Sequence, residues 1–330
     1  MQRPARKTPR QRPARQLPEA ALARHVRPLG PEEPFAAYLS PDGFLEELLA
    51  ELGDSVTSVH GRLVLAAGSP QSAAWAANIW LDPRRLPVRS IGDAAAQLRS
   101  LQRNWALYSF TQHRRAALIE ERLPKVSAKP LRFGDPAPTA PLGSWTLLAP
   151  DLMLASPRCS SPFRHGEAEL VEDKEGPPNR AYLKLWEALT LAGARPGPGD
   201  TCLDLGASPG GWTWVLQRLG ARVVAVDKAP LDPAIAALPG VEQRLESAFG
   251  LDPVKVGPVD WLLSDVICYP ERLLRLIESW LASGLARRFI CTVKLQGPAE
   301  PGVLEAFKAL PGGRLVHLHH NKHELTWMRV

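Results

Sequence analysis

Residues 201–228 read TCLDLGASPGGWTWVLQRLGARVVAVDK, and this stretch decides the fold. An apolar run leads into a glycine-rich turn at 206–211, a helical segment follows, and a second apolar run ends at Asp227. This order predicts a β-loop-α-β unit with a carboxylate at the end of its second strand. Glycines let the backbone approach a ligand, and a carboxylate can accept hydrogen bonds from ribose hydroxyls. The unit is therefore typical of a site for a nucleoside-bearing cofactor.

The spacing of the turn distinguishes between cofactors. A dinucleotide site normally shows G-x-G-x-x-G, whose helix N-terminus receives a pyrophosphate. This turn reads D-x-G-x-x-P-G-G from Asp204 to Gly211, with an acid two residues before the first glycine and a proline inside the turn. A small zwitterionic ligand that carries an amino acid suits this pattern better than two phosphates do. The pattern favours S-adenosylmethionine over NAD, and a tight turn without a ligand is the alternative.

The rest of the C-terminal half alternates helices and strands. This alternation predicts an α/β fold with an open, doubly wound, Rossmann-like sheet. The family resemblance described below implies that this sheet is of the class I SAM-dependent methyltransferase kind. In such sheets the ligand lies beyond the carboxyl ends of the strands, so we expect Asp204, Asp227, Asp265 and Lys294 at one edge. Besides the strands of the opening unit, the sequence predicts a helix at 180–189 and strands at 261–265, 288–294, 314–318 and 325–330.

Lys294 directly follows the apolar run Phe-Ile-Cys-Thr-Val. A partly desolvated lysine gives up its proton more easily than one in water, so it can accept a proton from a sugar hydroxyl that attacks a methyl group. The alternative is that Lys294 ends a strand and extends its ammonium into solvent.

Single helices alternate with strands in the region before this sheet. This pattern predicts a separate, small α+β domain at 34–150, with a ferredoxin-like or similar sandwich. A Pro/Gly-rich stretch at 134–143 either ends that domain or forms a long loop within it. We expect a linker at 151–178 and the methyltransferase-like domain at 179–330. Four arginines of the small domain are candidates to face RNA or to form an ordinary solvated surface: Arg84, Arg85, Arg114 and Arg115.

Composition indicates a globular protein. Of the 330 residues, 45% are apolar and 22% charged, and the four cysteines show no C-x-x-C pair. Neither a disulfide framework nor a zinc site is indicated, which favours a reducing compartment. Because no apolar run reaches the length of about 18 to 20 residues that spans a bilayer, we expect a soluble, cytoplasmic protein.

The first 33 residues form a basic segment. Residues 1–30 carry eight Lys or Arg residues against the single acid Glu19, among proline, glutamine and alanine. Such a segment cannot bury a core, so it is predicted to be a disordered tail. It is interpreted as an arm that binds phosphates non-specifically, with a solvated tail or a transit peptide as alternatives.

Four residues carry a resemblance to a known family. Lys184, Asp265, Lys294 and Glu324 stand in the order and the sequence contexts of the K-D-K-E tetrad, so the chain resembles the FtsJ-like ribose 2′-O-methyltransferases, and most closely their RlmM type, which acts on 23S ribosomal RNA. The resemblance covers 177–330 and is weaker in 34–150, where that family has an RNA-binding module with a THUMP-like part. The matching motifs are RxxxKLxEA at 180–188, DLGASPGGWT at 204–213, DxxxxP at 265–270, KL at 294–295 and ELT at 324–326.

The resemblance implies catalytic roles. Lys294 would accept the proton or stabilise the developing alkoxide, and Lys184 would make Lys294 easier to deprotonate. Asp265 would orient that lysine and the methyl donor, while Glu324 would hold Lys184 or the target ribose. No metal is required.

The resemblance also implies a set of cofactor-binding residues. Ser247 stands where the family commonly has an aspartate that meets the adenine amino group, so that contact is expected to be weaker or to move to Glu246. The histidines at 317, 319, 320 and 323 would alternate between the two faces of a strand, and they form no complete set of metal ligands. The expected cofactor-binding residues are Asp204, Gly206, Ser208, Pro209, Gly210, Gly211, Trp212, Asp227, Glu246, Ser247 and Asp265.

These observations predict a SAM-dependent RNA ribose 2′-O-methyltransferase with 23S rRNA, or a pre-ribosomal particle, as its partner. Neither a membrane nor DNA is expected as a partner. The alternatives are a methyltransferase of tRNA or another RNA, and an RNA- or ribosome-binding protein with a degenerate cofactor site. A nicotinamide oxidoreductase is less favoured because the turn lacks G-x-G-x-x-G.

Deletion of residues 1–30 should lower RNA affinity and flatten its dependence on salt, because fewer counterions are released when fewer cations meet phosphates. Binding of an rRNA fragment to the full chain and to the deletion variant, measured between 50 and 200 mM salt, checks this. Equal affinities and equal salt slopes would favour the solvated tail without a partner.

Overall fold

The computed structural model describes residues 33–127, 129–295 and 301–330. Except for Glu33, the predicted basic tail at 1–33 lies outside the described residues. Within these ranges, no helix has both the length and the apolar character that a membrane crossing requires.

The chain order of the elements alternates helices and strands in both halves. The helices are α1 Leu45–Leu52, α2 Ile91–Leu101, α3 His113–Glu120, α4 Tyr182–Ala192, α5 Gly211–Arg218, α6 Pro233–Ala236, α7 Pro253–Val256, α8 Pro270–Ser283 and α9 Pro301–Ala309. The strands are β1 Phe35–Leu39, β2 Val56–His60, β3 Leu63–Ala67, β4 Asn78–Trp80, β5 Arg84–Pro87, β6 Trp105–Leu107, β7 Gly143–Ala149, β8 Leu152–Ser156, β9 Thr201–Leu205, β10 Arg222–Asp227, β11 Val241–Leu245, β12 Val259–Ser264, β13 Ala286–Lys294, β14 Arg314–Val316 and β15 Glu324–Arg329.

The C-terminal sheet has the order β11-β10-β9-β12-β13-β15-β14. Strands β9 to β13 run parallel, and β15 inserts antiparallel between β13 and β14. The strand order reverses at β9, where the chain moves from β11 and β10 on one side to β12 and β13 on the other. The predicted Rossmann-like sheet of the class I methyltransferase kind is confirmed, and its ligand crevice lies at this reversal.

The register of β15 against β13 fixes the position of two predicted site residues. Lys294, the last residue of β13, stands directly opposite Glu324, the first residue of β15. Directly opposed residues of an antiparallel pair hold their Cβ atoms about 4.5–5.5 Å apart. The two residues are 30 positions apart in sequence and adjacent in the sheet.

The first N-terminal sheet has the order β2-β3-β1-β4 with antiparallel pairs throughout. This is the strand order of a ferredoxin-like sheet, with α1 as the crossover between β1 and β2. A second helix is absent between β3 and β4, since residues 68–77 form turns and irregular backbone there. The expected ferredoxin-like arrangement is thus present with one helix replaced by a loop.

A second N-terminal sheet has the order β5-β8-β7-β6. Strand β8 was expected to lie in a linker at 151–178, but it pairs antiparallel with β7 and with β5. The physical reason is that Pro150 and Asp151 form a turn between two apolar runs, which closes a hairpin. Residues 152–156 are therefore a buried strand of the N-terminal half rather than part of a linker.

The loop at 68–77 joins the N-terminal half to the C-terminal sheet. Trp75, 1% exposed, belongs to an apolar cluster that also contains Phe289 and Trp327 of that sheet. The carbonyl of Ala74 accepts a hydrogen bond from the backbone N–H of His317 at 2.8 Å. Glu51 accepts from the N–H groups of Ala74 and Trp75 at 2.8 and 2.9 Å and pairs with Lys308 of α9 at 2.8 Å. The two halves therefore share one core.

Replacement of Trp75 by alanine should lower the free energy of unfolding by about 3–5 kcal/mol, because it leaves a large cavity where the two halves meet. Leu118→Ala is the control, because this side chain is 38% exposed and its loss should change stability by less than about 0.5 kcal/mol. Urea unfolding of both variants measures the difference. Equal losses would show that Trp75 does not support the shared core.

Candidate active site

The glycine-rich turn after β9 packs tightly against the loop after β12. Gly206 has φ +77°, and a Cβ atom there would lie 2.5 Å from the Cα of Val266. Its N–H donates to the carbonyl of Val226 at 2.9 Å. A residue with a side chain is excluded at this point, because neither the backbone conformation nor the backbone of Val266 leaves room for it. Glycine is therefore required where two strand ends meet.

Asp227, at the end of β10, organises the neighbouring backbone. Its Oδ2 accepts from the N–H of Ser208 at 3.1 Å, and its Oδ1 accepts from the N–H of Ala229 at 2.9 Å. The Ser208 hydroxyl donates to the carbonyl of Pro230 at 2.8 Å. A carboxylate has lone pairs beyond those used by two N–H donors, so Asp227 can still accept from a ligand hydroxyl.

Asp204 occupies a different environment. Its side chain is fully buried, and the Thr213 hydroxyl donates to its Oδ2 at 2.6 Å. Among the described residues, no donor reaches its Oδ1. Burial raises the pKa of Asp204 to about 7. Asp204 thus lies beneath the turn, in contact with α5.

The second part of the turn forms the start of α5 rather than a cavity wall. Gly210 has φ +115°, and a Cβ atom there would lie 2.7 Å from Cγ2 of Ile235. Trp212 is buried, and its Nε1 donates to the carbonyl of Ala181 at 3.0 Å, which ties α5 to the start of α4. Pro209, Gly210, Gly211 and Trp212 were expected to surround a cofactor, and they are not among the residues that line the cavity described below.

Lys184 on α4 is held by two carboxylates. Its Nζ lies 2.8 and 2.9 Å from the two oxygens of Asp265 and 3.1 Å from Oε1 of Glu324. An ammonium has three N–H donors, and these three contacts use all of them. The side chain of Lys184 is only 10% exposed, so its charge depends on these partners.

Lys294 completes the group from the end of β13. Its Nζ lies 3.1 Å from Oδ1 of Asp265, so Asp265 bridges the two lysines. Among the described residues, Lys294 makes no other ion pair. The side chain of Lys294 is 21% exposed. The four predicted tetrad residues therefore come together from four separate elements. Lys294 still has donor positions that point away from the ion pair, whereas Lys184 does not.

A cavity of about 460 Å³ opens beside this group. Lys294 and Asp265 line it together with Gly206, Ser208 and Asp227. Glu246 and Ser247, which follow β11, also line it. The glycine-rich turn and two tetrad residues, Lys294 and Asp265, thus line the same cavity.

Seven residues of the cavity wall were absent from the predicted set: Val226, Lys228, Ala248, Phe249, Val266, Ile267 and Arg272. Arg272, in the first turn of α8, places its guanidinium 3.9 Å from the ring centroid of Phe249. Phe249 follows Ser247, whose hydroxyl accepts from its N–H at 3.4 Å. Neither Arg272 nor Phe249 belongs to a recognisable motif, because only the fold brings the segment after β11 beside α8.

The predicted strand at 314–318 ends at Val316, and residues 317–323 form a turn that leads to Glu324. Glu187 of α4 is buried and accepts from the N–H groups of His319 and His320 at 2.8 and 3.0 Å. The histidines were expected to alternate across a strand, but they lie in this turn because Glu187 caps its backbone.

No group of His, Cys, Asp and Glu side chains in the described ranges has the arrangement of a metal site.

The opposite side of this turn contacts the N-terminal half. The ring of His323 stacks on Phe44 with centroids 5.9 Å apart, and its Nε2 lies 3.4 Å from Glu47. The ring of His317 lies 4.8 Å from that of Phe44. Burial lowers the pKa of His317 to about 4, so this imidazole is neutral at pH 7. The turn before Glu324 is therefore fixed from both halves of the protein.

Comparison with known families agrees with this geometry. Residues 177–285 match the family model of the FtsJ-like methyltransferases. The chain carries an FtsJ-like methyltransferase domain. This domain contains Lys184, the glycine-rich turn and Asp265, while Lys294 and Glu324 follow it in the same sheet.

The chain is also similar to individual relatives. The chain is 42% identical over 158 residues to ribosomal RNA large subunit methyltransferase M of Halorhodospira halophila, covering 45% of this chain and 46% of the relative. It is 33% identical over 208 residues to the protein of the same name from Methylococcus capsulatus, covering 58% of each. The chain thus spans about half the length of the curated relatives that it matches.

Asp204→Asn should remove a pH dependence of stability. Because the pKa of Asp204 is raised to about 7, the folded state binds a proton that the unfolded state releases above pH 4, and folding loses stability as pH rises to 7. The slope from this one group is at most about 1.4 kcal/mol per pH unit. Urea unfolding from pH 4 to 8 should show a shallower decline in the variant. Parallel curves for the two proteins would contradict a raised pKa.

Proposed function

We propose that the protein is an S-adenosylmethionine-dependent RNA ribose 2′-O-methyltransferase that acts on large-subunit, 23S ribosomal RNA. The observation that carries the proposal is the single cavity shared by the glycine-rich turn and by Lys294 with Asp265. A methyl donor and an acceptor hydroxyl must meet in one place, and this cavity offers groups for both.

The cavity wall fits the donor chemically. A sulfonium and an α-amino group are cationic, and three carboxylates line the cavity: Asp227, Glu246 and Asp265. We assign Asp227, at the end of β10, as the acceptor for ribose hydroxyls. With serine at 247, we assign the acceptor for the adenine amino group to Glu246 or to the Ser247 hydroxyl. Val226, Val266 and Phe249 supply apolar surface.

The two lysines differ in what they can do. S-adenosylmethionine, when bound, supplies a methyl group made electrophilic by its sulfonium. Lys294 faces the cavity, and its Nζ either accepts the proton of the attacking 2′-hydroxyl or, as an ammonium, stabilises the alkoxide that develops. Lys184 has no donor left for a substrate, so its part is to hold Asp265 and Glu324 in place. Asp265 in turn orients Lys294.

The RNA substrate is inferred from two supports. The relatives that the chain matches are named for large-subunit ribosomal RNA, and the chain is basic, with a net charge of +6 and a pI near 9.3. Basic proteins gain much of their affinity for nucleic acid from contacts with phosphates. Arg84, Arg85 and Arg114 are exposed on the N-terminal half and are candidates for such contacts.

Lys294→Ala should lower the rate of methyl transfer about 10²- to 10⁴-fold, the usual contribution of a positioned acid or base. Affinity for S-adenosylmethionine, measured by calorimetry, should stay nearly unchanged. Lys255→Ala is the control, because it removes the same charge from an exposed position on α7. Full activity of Lys294→Ala, or a wild-type protein that does not bind S-adenosylmethionine, would overturn the mechanism.

The substrate has its own test. Ribose-methylated sites in total RNA are mapped from cells with and without the protein. The expected result is the loss of one site in 23S rRNA. Loss of a tRNA site instead would keep the chemistry and change the substrate, and no lost site would contradict the proposed activity.

A further inference from the structure

The loop that follows Asp265 exposes two large apolar side chains beside the cavity. Ile267 is 79% exposed and Tyr269 is 64% exposed, while Cys268 between them is 9% exposed. Exposed and buried side chains alternate here as in an extended segment, so Ile267 and Tyr269 point to the same side. Ile267 itself lines the cavity that holds Lys294.

This loop is held in place at both ends. The N–H of Asp265 donates to the carbonyl of Leu205 at 3.2 Å, and Val266 packs against Gly206. At the other end, the carbonyl of Tyr269 accepts from the N–H of Arg272 at 3.0 Å at the start of α8. The two exposed side chains are therefore presented from a fixed backbone, and binding a ligand there does not require the loop to become ordered first.

The proposed reaction determines what must lie near this surface. The reacting 2′-oxygen has to reach Lys294, and the nucleobase is attached to the sugar carbon next to the one that carries this oxygen. The base of the target nucleotide therefore lies within a few bonds of Lys294. RNA-modifying sites commonly hold an unstacked base against aromatic and apolar side chains, because every base has a π face.

We propose that Ile267 and Tyr269 form the surface on which the base of the target nucleotide stacks while its ribose lies at Lys294. This inference rests on the proposed function and adds to it the position of the base. The surface is open on one side, so it supports a base that has been taken out of a helix or that already lies in a single-stranded loop.

The test is a double-mutant cycle between Tyr269 and the base. Two RNAs are compared: one spans the mapped target site, and the other has the same sequence with the ribose kept and the base removed at the target nucleotide. Tyr269→Ala should raise the KM for the intact RNA about 5- to 150-fold, the range reported for loss of one stacked base. Tyr269→Ala should have little effect on the KM for the RNA that lacks the base.

Controls separate stacking from structure. Tyr269→Phe keeps the ring and should retain a KM close to that of the wild type. Val254→Ala shortens an apolar side chain that is 77% exposed on α7, and it should leave the KM unchanged. Calorimetric binding of S-adenosylmethionine and the melting temperature should be the same in the three variants.

The possible failures are distinguishable. If the wild type transfers methyl groups to RNA but Tyr269→Ala raises the KM equally for both RNAs, or for neither, the stacking surface is wrong and the proposed function stands. If the wild type methylates no RNA ribose, the proposed function fails, and the stacking surface fails with it.

Discussion

The ion pair that Lys184 makes with Asp265 and Glu324 is the constraint on which the site depends. A nearly buried ammonium is stable only if its partners satisfy it, and here α4, the loop after β12 and the first residue of β15 must all be in place. Removal of Lys184 would leave Glu324 without this ion-pair partner in a poorly solvated place, and loss of one partner of a buried pair commonly costs about 3–5 kcal/mol. The same contacts that hold the fold together at this point therefore also fix the atoms that face the cavity.

This constraint separates the roles of the two lysines. Lys184 uses its donors within the protein, whereas Lys294 makes one ion pair among the described residues and lines the cavity. The two cations and two carboxylates of this group balance one another. A polar group fixed before the substrate arrives does not have to be reorganised during the reaction, and this is the usual source of electrostatic catalysis.

The N-terminal half takes part in the same arrangement. The turn at 317–323, which leads into Glu324, is capped from α4 by Glu187 and stacked from the N-terminal half by Phe44. The loop at 68–77 occupies the place of a ferredoxin-like helix and carries Trp75 into the core of the C-terminal sheet. A module expected to bind RNA thus also supports the strand that carries a tetrad residue, which couples the two halves mechanically.

The sequence alone determined the doubly wound sheet and the glycine-rich turn, because apolar periodicity and motif spacing are local properties. The four tetrad residues were named from a family resemblance, and their catalytic roles are part of the proposed function. The sequence could not place Arg272 and Phe249 in the cavity or remove Asp204 and Trp212 from its wall, since those positions depend on packing between distant segments. The sequence analysis missed strand β8 and the turn at 317–323 for the same reason. Strand β8 forms by pairing with β7, and the buried Glu187 caps the turn. Only the tertiary structure decided which lysine faces the cavity, because the registry of β13 with β15 and the approach of α4 set the contacts of each ammonium.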